Sequence, residues 1–503
     1  MIRALPLLLA PLPIAASVAP CLAADLDREV AALVAAAKMP KATVAVSVRD
    51  VSSGEELVEL RDALPLIPAS NMKLLTSGAA LAALGPDFRF RTTVVLAGGD
   101  LVVRGAGDPA FGDPELLAET VHRGADGDAD DLADVDALLD VWVDAIARTG
   151  IREVGEVVVD DRIFDRERVH PDWPKDQLSN HYCAEVAGLN FHGNCVHLCP
   201  KPRSGSRPDP GRFIPNAAFL VLENRATSAT GAKEKHDPWL AHAPGETTTG
   251  FTLHGNVRAP MQEPIRIAMK DAPDFFAALL AEKLQARGIR VAGHRVARSD
   301  EPAAGGREVA PAISTPIGTV LARANVDSAN LHAEALLKRL GNARSGEPGS
   351  WRNGTAALRA VIAERIDSTL LEGTTFADGS GLSRRNRVRA DLMTAWIAAM
   401  LNDPRCREGF RESLAVGGES GTLAKRFRGL DLRGCMVRAK TGYINGVSCL
   451  SGVVEAPDGR ARAFSVLCNG VTSVADAKKL QERVVAAIAR DLAEEPVPTA
   501  LGG

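Results

Sequence analysis

Aromatic side chains are scarce in this sequence. It has 14 Phe, 5 Trp and 2 Tyr among 503 residues, which argues against a module built to stack sugars. Cysteine is scarce too, and eight in a chain of this length are too few for a disulfide scaffold. No excess of charge of one sign is present. Lys+Arg 59 against Asp+Glu 63 leaves a net charge of −4 with no basic run, which excludes nucleic acid as the main partner. Beyond the N-terminus no uncharged apolar stretch approaches the ~20 residues of a membrane-spanning helix, so no integral membrane span is expected. No internal repeat is visible. What remains is the balance of a globular protein, 46% hydrophobic and 24% charged, and disorder is excluded for most of the chain. At ~150 residues per domain the length suggests about three domains, or one large domain carrying insertions.

The N-terminus is the one apolar run. Arg3 is its only early charge, residues 4–18 are apolar, and Cys21-Leu22-Ala23 puts small residues at −3 and −1 of a cleavage site. Residues 1–23 therefore read as a secretory signal peptide and the mature chain as exported, to the periplasm. A lipoprotein would need Cys21 as the lipidated residue, which Pro20 fits poorly. Removal of Cys21 leaves seven cysteines, an odd number. Two strands, 447–455 and 461–468, flank the turn Pro457-Asp458-Gly459-Arg460 and bring Cys449 near Cys468. Direct cross-strand bridges are strained, so pairing there is possible rather than expected.

Helical periodicity marks residues 25–38, 71–84, 275–287, 327–340, 354–366, 390–400 and 476–492, the last with Leu480, Val484 and Ile488 on one face. Strands are expected at 42–50, 92–96, 154–160 and 217–222, and from 436 through 452. Residues 163–255 are rich in Pro, Gly, Asn and His.

Three short motifs carry chemistry: Ser70-Asn71-Met72-Lys73, Ser328-Ala329-Asn330 and Lys440-Thr441-Gly442. A lone S-x-x-K tetrapeptide is weak evidence. Here Ser70 opens a helix after Pro68-Ala69, and Lys73 lies on the same face one turn on. A serine hydroxyl needs an adjacent base to act as a nucleophile. A lysine becomes that base only when desolvation or a nearby cation lowers its pKa, and Lys440 is the candidate cation. Ser328 and Asn330 sit at a helix start, with Asp327 or Ser328 as cap. A hydroxyl there can relay a proton, and an amide can hold a peptide group.

In this order, S-x-x-K, S-x-N and K-T-G resemble the penicillin-binding proteins and serine β-lactamases. Further text is similar to one branch. Residues 70–94, Gly105-Ala106-Gly107-Asp108-Pro109, Asp378-Gly379-Ser380-Gly381-Leu382-Ser383-Arg384 and residues 439–446 (AKTGYING) resemble the low-molecular-mass class C penicillin-binding proteins. These are D-alanyl-D-alanine carboxypeptidase/endopeptidases of the penicillin-binding protein 4 type. The similarity runs from about residue 42 to 485 and is thin between 163 and 255. Half the chain separates Lys73 from Ser328, far more than in compact serine β-lactamases, matching the family's insertions between those motifs.

The resemblance implies an α/β (α+β) fold: a transpeptidase-like domain with a five-stranded antiparallel sheet flanked by helices, formed by 24–91 and 306–492. It implies two nested insertions, 92–162 with 268–305 and 163–267, and leaves 493–503 as a tail. It implies acyl transfer to Ser70 from the peptide bond between two D-alanines of peptidoglycan stem peptides, with β-lactams as inhibitors and no cofactor. In that scheme Lys73 activates Ser70, and the Ser70 and Tyr443 N–H groups form an oxyanion hole. Ser328 returns a proton to the leaving amine, Asn330 holds the substrate backbone, and Lys440 and Thr441, beside Gly442, bind the terminal carboxylate. Asp160, Phe164, Arg384 and Asn445 match positions of the family's diaminopimelate pocket. Tyr443 departs from the family, which usually has Ser or Thr there. A β-lactam-hydrolysing enzyme would need a deacylating base that no residue supplies. A wall-binding scaffold is opposed by the intact motifs.

Other patterns weigh less. Asp126, Asp128 and Asp130 imitate a calcium loop, but Asp131 stands where glycine belongs and Ala137 where glutamate belongs. Cys195, His197 and Cys199, with His192 and Cys183 nearby, lack the tight pairs of a zinc site. Gly417-Gly418-Glu419-Ser420-Gly421 is a turn rather than a nucleophile elbow, and His332-Ala333-Glu334 is ordinary helix sequence.

Overall fold

The computed structural model describes residues 19–123, 135–229, 231, 233–245, 248–261, 263–303 and 305–495. Most of the expected signal peptide, the 126–131 acidic loop and the end of the tail lie outside them.

The two ends of the chain meet in one antiparallel sheet. Its order is Ala415–Val416, Met436–Ile444, Val447–Glu455, Ala461–Asn469, Thr43–Asp50, Glu56–Leu60. Thr43 faces Asn469 and Asp50 faces Arg462, so the first strand is held by the last. The sheet has six strands rather than five, because the edge carries a strand only two residues long. Strand 436–452 is not continuous either. Asn445-Gly446, with Gly446 at φ +78°, turns it into a hairpin.

Both faces of the sheet are covered, and apolar side chains from its central strands point to each face. Val44, Val46, Val48, Phe464, Val466 and Cys468 pack on one face against Leu480, Val484 and Ile488 of helix Val474–Glu494 and against Leu26 and Val30 of helix Ala19–Ala35. Ala45, Val447, Cys449 and Leu467 point the other way, against Leu66, Ala69 and Ala390. Cys449 and Cys468 therefore lie on opposite faces, one register step apart, with Cys449 opposite Leu467. The seven cysteines from Cys183 to Cys468 are all unpaired.

Helix Met72–Leu84 is buried from Met72 through Leu81, which is why it reads as an Ala-rich apolar run with little amphipathic contrast. It sits in a core with helices Ile317–Asn325, Asn330–Ser345, Trp351–Ala363 and Ala390–Asn402. Phe164, Trp173, Cys183 and Val186, from the stretch rich in Pro and Gly, join the same core.

A second, mixed sheet is built from the middle of the chain, in the order Arg290–Val296, Glu153–Asp160, Asp100–Arg104, Arg89–Ala97, Arg307–Glu308, with Ile313–Pro316 also on Arg89–Ala97. Helices Val135–Arg148 and Ala272–Ala286 cover it through Leu139, Trp142, Phe276 and Leu280. Residues 195–268 add short strands. The one expected at 217–222 lies instead at Val221–Asn224, on a three-stranded sheet.

Candidate active site

The three motifs converge where helix Met72–Leu84 begins against the sheet. Ser70 lies in a 3-10 turn, Ala69–Asn71, directly before that helix. Ala69 has φ +46°, an unfavourable left-handed conformation for a residue with a side chain. Asn71 Nδ2 donates to Ser451 Oγ at 2.6 Å, and Ser451 and Ser465 hydroxyls are 2.8 Å apart, so the helix start is bonded to two central strands. Two glycines let backbone pass close to this turn. A Cβ on Gly442 would lie 2.6 Å from the Pro68 carbonyl oxygen. One on Gly381, at φ +84°, would lie 1.8 Å from that of Ala69.

Lys73 is fully buried. Its Nζ donates to Ser70 Oγ at 3.0 Å, to Asn330 Oδ1 at 2.7 Å and to the Ser380 carbonyl at 2.9 Å. A neutral amine has two hydrogens and one lone pair. Asn330 Oδ1 and the Ser380 carbonyl can only accept, so they take the two hydrogens and leave the lone pair to the Ser70 hydroxyl. Burial drives the Lys73 pKa from 10.5 down to about 7, against the pull of the Glu334 and Asp378 carboxylates. Burial, not the Lys440 cation expected from sequence, is the dominant cause. Lys440 is itself buried and held well below the ordinary lysine value, by burial first and then by Lys73, with Asp327 opposing. Its Nζ donates to Ser328 Oγ at 2.9 Å and to the Thr441 carbonyl at 2.8 Å.

Ser328 is also left-handed, at φ +64°. Neither it nor Asp327 caps the following helix. That helix is Asn330–Ser345, Ala329 is its cap residue, and no side chain bonds the helix start. Asp327 instead pairs with Arg323 at 2.7 Å. Asn330 Nδ2 donates to the Tyr182 carbonyl at 2.9 Å, which ties residues 181–183 to the site.

The Asp378–Arg384 loop is anchored from below. Asp378 Oδ1 accepts from Gly381 N and Asn386 Nδ2, and its Oδ2 from Trp173 Nε1 and Ser383 N. Glu334, buried and raised to about 7 by burial and by Asp378, accepts from Gly379 N, Ser380 N and Trp351 Nε1. Motif reading missed Glu334, Asp378 and the Ser380 carbonyl. Glu334 leaves one signal, as the single acid within the apolar run Ala333 to Leu337.

Ser70, Lys73, Ser328, Asn330, Lys440, Thr441 and Gly442 thus come together. Tyr443 follows with its side chain 59% exposed. Arg384 reaches across to the Asn445 carbonyl at 2.8 Å, so these two meet at the exposed hairpin end. Asp160 and Phe164 are engaged elsewhere. Asp160 is held below the usual carboxylate range by its bonds to Arg162, and the Phe164 ring is buried against Gly107 and Gly349. Cys195 and His197 are buried on strand Cys195–Leu198. Among the described residues no group of three His, Cys, Asp or Glu side chains is placed to hold a metal ion.

A family model described as the D-Ala-D-Ala carboxypeptidase 3 (S13) family matches residues 26–491. The chain belongs to this family. Its members' serine-type carboxypeptidase chemistry is the chemistry of this protein. A D-alanyl-D-alanine carboxypeptidase of Actinomadura sp. (strain R39) is 31% identical over 469 residues, 89% of this chain and 81% of that one. The D-alanyl-D-alanine carboxypeptidase DacB of Haemophilus influenzae is 21% identical over 465 residues, 87% of each chain. The crystal structure of penicillin binding protein 4 from Haemophilus influenzae shares the fold, with a TM-score of 0.71 at 20% identity over 93% of this chain and 99% of that one.

Proposed function

We propose that Ser70 is the nucleophile of a D-Ala-D-Ala carboxypeptidase and endopeptidase that trims or uncrosslinks peptidoglycan stem peptides. The observation that carries this is the placement of Lys73 Nζ between Ser70 Oγ and two fixed acceptors. The lone pair takes the hydroxyl proton as Oγ attacks the carbonyl between the two D-alanines. Backbone N–H groups of Ser70 and Tyr443 would stabilise the oxyanion. As the C–N bond breaks, Ser328 passes a proton to the leaving amine, which is D-Ala or, in a cross-link, a neighbouring stem peptide. Lys440 and Thr441 bind the terminal carboxylate beside Gly442, and Asn330 holds the substrate backbone. Water then hydrolyses the acyl-serine and restores Ser70. A β-lactam acylates Ser70 by the same attack, with its ring nitrogen as the tethered leaving group. Arg384 and Asn445 would meet the stem peptide's side chain, a reading supported by their contact at the exposed hairpin end, whereas the bonding of Asp160 and the burial of Phe164 favour a supporting role for both. The apolar N-terminus suits export to the periplasm, where this substrate lies.

Intact-mass spectrometry of the mature protein with and without benzylpenicillin, repeated with Ser70→Ala, tests this. A stable adduct of one antibiotic mass, absent from the variant, is expected. Hydrolysed drug over unmodified protein would mean a β-lactamase. Intact drug and no adduct would mean that the motifs no longer catalyse.

A further inference from the structure

Glu334 takes no part in these steps, yet it is buried beside them. It lies one helical turn after Asn330 in helix Asn330–Ser345. A lone buried carboxylate is costly, and three donors answer this one: Trp351 Nε1 at 2.8 Å, Gly379 N at 2.9 Å and Ser380 N at 2.8 Å. The last two belong to the turn whose Ser380 carbonyl accepts from Lys73. Gly379 lets that turn lie on the helix, since a Cβ there would stand 2.8 Å from the Ala333 carbonyl oxygen. Positions 330 and 334 of one helix therefore fix both acceptors of the Lys73 hydrogens. Asn330 does so directly and Glu334 through the turn.

We propose that Glu334 is a positioning residue for Lys73: its carboxyl group clamps the Gly379–Ser380 turn so that the Ser380 carbonyl takes one amine hydrogen. This rests on the reading of Ser70 and Lys73 above. The charged groups facing Glu334 are Lys73 from helix Met72–Leu84, Asp378 from the turn and Lys338 one turn further along its own helix. Lys440 lies beyond Lys73. Without the Glu334 charge the buried Lys73 ammonium loses part of its compensation, so it gives up its proton at lower pH.

The test is the rate of Ser70 acylation by benzylpenicillin from about pH 5 to about pH 9, followed by intact mass, for the wild type, Ser70→Ala, Glu334→Gln and Trp351→Phe. The Gln variant is expected to acylate about tenfold more slowly on its plateau, for one lost charged hydrogen bond. Its acid limb is expected about one pH unit lower. Trp351→Phe removes one donor to the same carboxylate but leaves both turn contacts and the ionisable group, so its limb moves less than that of the Gln variant. A Gln variant with the wild-type plateau and limb overturns the inference, as does a Phe variant displaced as far as the Gln variant. If the Gln variant does not fold, Glu334→Asp serves. It keeps the charge but is one methylene too short for the turn, so its plateau falls while its limb stays, and an unchanged plateau overturns the inference. No adduct on the wild type, or an adduct on Ser70→Ala, defeats the nucleophile reading and this inference with it. The Gln and Phe results defeat this inference alone.

Discussion

Acylation of Ser70 should follow the protonation of a buried lysine, and the size of the effect can be worked out. An ordinary lysine, with its pKa at 10.5, is free amine in about one molecule in three thousand at pH 7, whereas Lys73, at about 7, is free in about half. The site as a whole, burial less the opposing pull of Glu334 and Asp378, thus disfavours the charged form by roughly 5 kcal/mol relative to water. The gain in competent base at neutral pH is roughly a thousandfold, comparable with what general-base catalysis contributes in total. The sign follows from the direction of the shift. The protonated amine has no lone pair for the Ser70 proton, so the rate falls as pH drops through the limb and is flat above it. Glu334 titrates in the same window, so the limb near pH 7 belongs to the pair rather than to one group. The assay is the second-order rate of benzylpenicillin acylation against pH under single-turnover conditions, where deacylation cannot intrude. A limb near 10 would mean that Lys73 is not desolvated in solution. A limb near 4 would point to an ordinary carboxylate as the base. A flat profile would refute proton transfer to any group in this range.

Two substitutions test the frame around Ser70. Gly381→Ala puts a Cβ into the Ala69 carbonyl at a left-handed position, and should cost about 2 kcal/mol or more in denaturant unfolding. Acylation should slow with it, because Ala69 directly precedes Ser70; wild-type stability would show that the turn moves aside freely. Tyr443→Ser replaces an exposed side chain and should change stability by no more than about 0.5 kcal/mol. It supplies a hydroxyl for the substrate carboxylate, worth about 1.5 kcal/mol, so KM for a D-Ala-D-Ala peptide should fall about tenfold. An unchanged KM would mean that Tyr443 does not weaken substrate binding.

What was legible in the sequence is what side chains declare by type and order. Ser70, Lys73, Ser328, Asn330, Lys440 and Thr441 were found from three motifs, and they meet in space. Helix Met72–Leu84 and the strands Thr43–Asp50, Val447–Glu455 and Ala461–Asn469 were found from apolar runs. The failures have separate physical causes. Strand Ala415–Val416 is two residues long and leaves no periodicity to detect. The Asn445-Gly446 turn carries a standard hairpin signal, but the apolar text on both sides reads through it. Cys449 and Cys468 are neighbours across the hairpin as expected, and register keeps their side chains apart. A step of one residue sends neighbouring side chains to opposite faces, and only the pairing of Cys449 with Leu467 settles which step holds.

The groups that set Lys73's chemistry were the hardest to see. One acceptor is the Ser380 carbonyl, and every residue has a carbonyl, so no residue type at position 380 could announce it. Its partner Glu334 is visible only as a charge in the wrong place, an acid in a helix that buries every residue from Leu331 to Lys338. A buried acid has to be answered by donors. Here two of them are the N–H groups of a loop that local sequence places nowhere near the helix, 45 and 46 residues beyond Glu334 along the chain. Sequence can therefore nominate the nucleophile and its lysine. Whether that lysine is a base at neutral pH depends on the packing of a backbone turn against a helix, and on the two glycines, Gly379 and Gly381, that allow it.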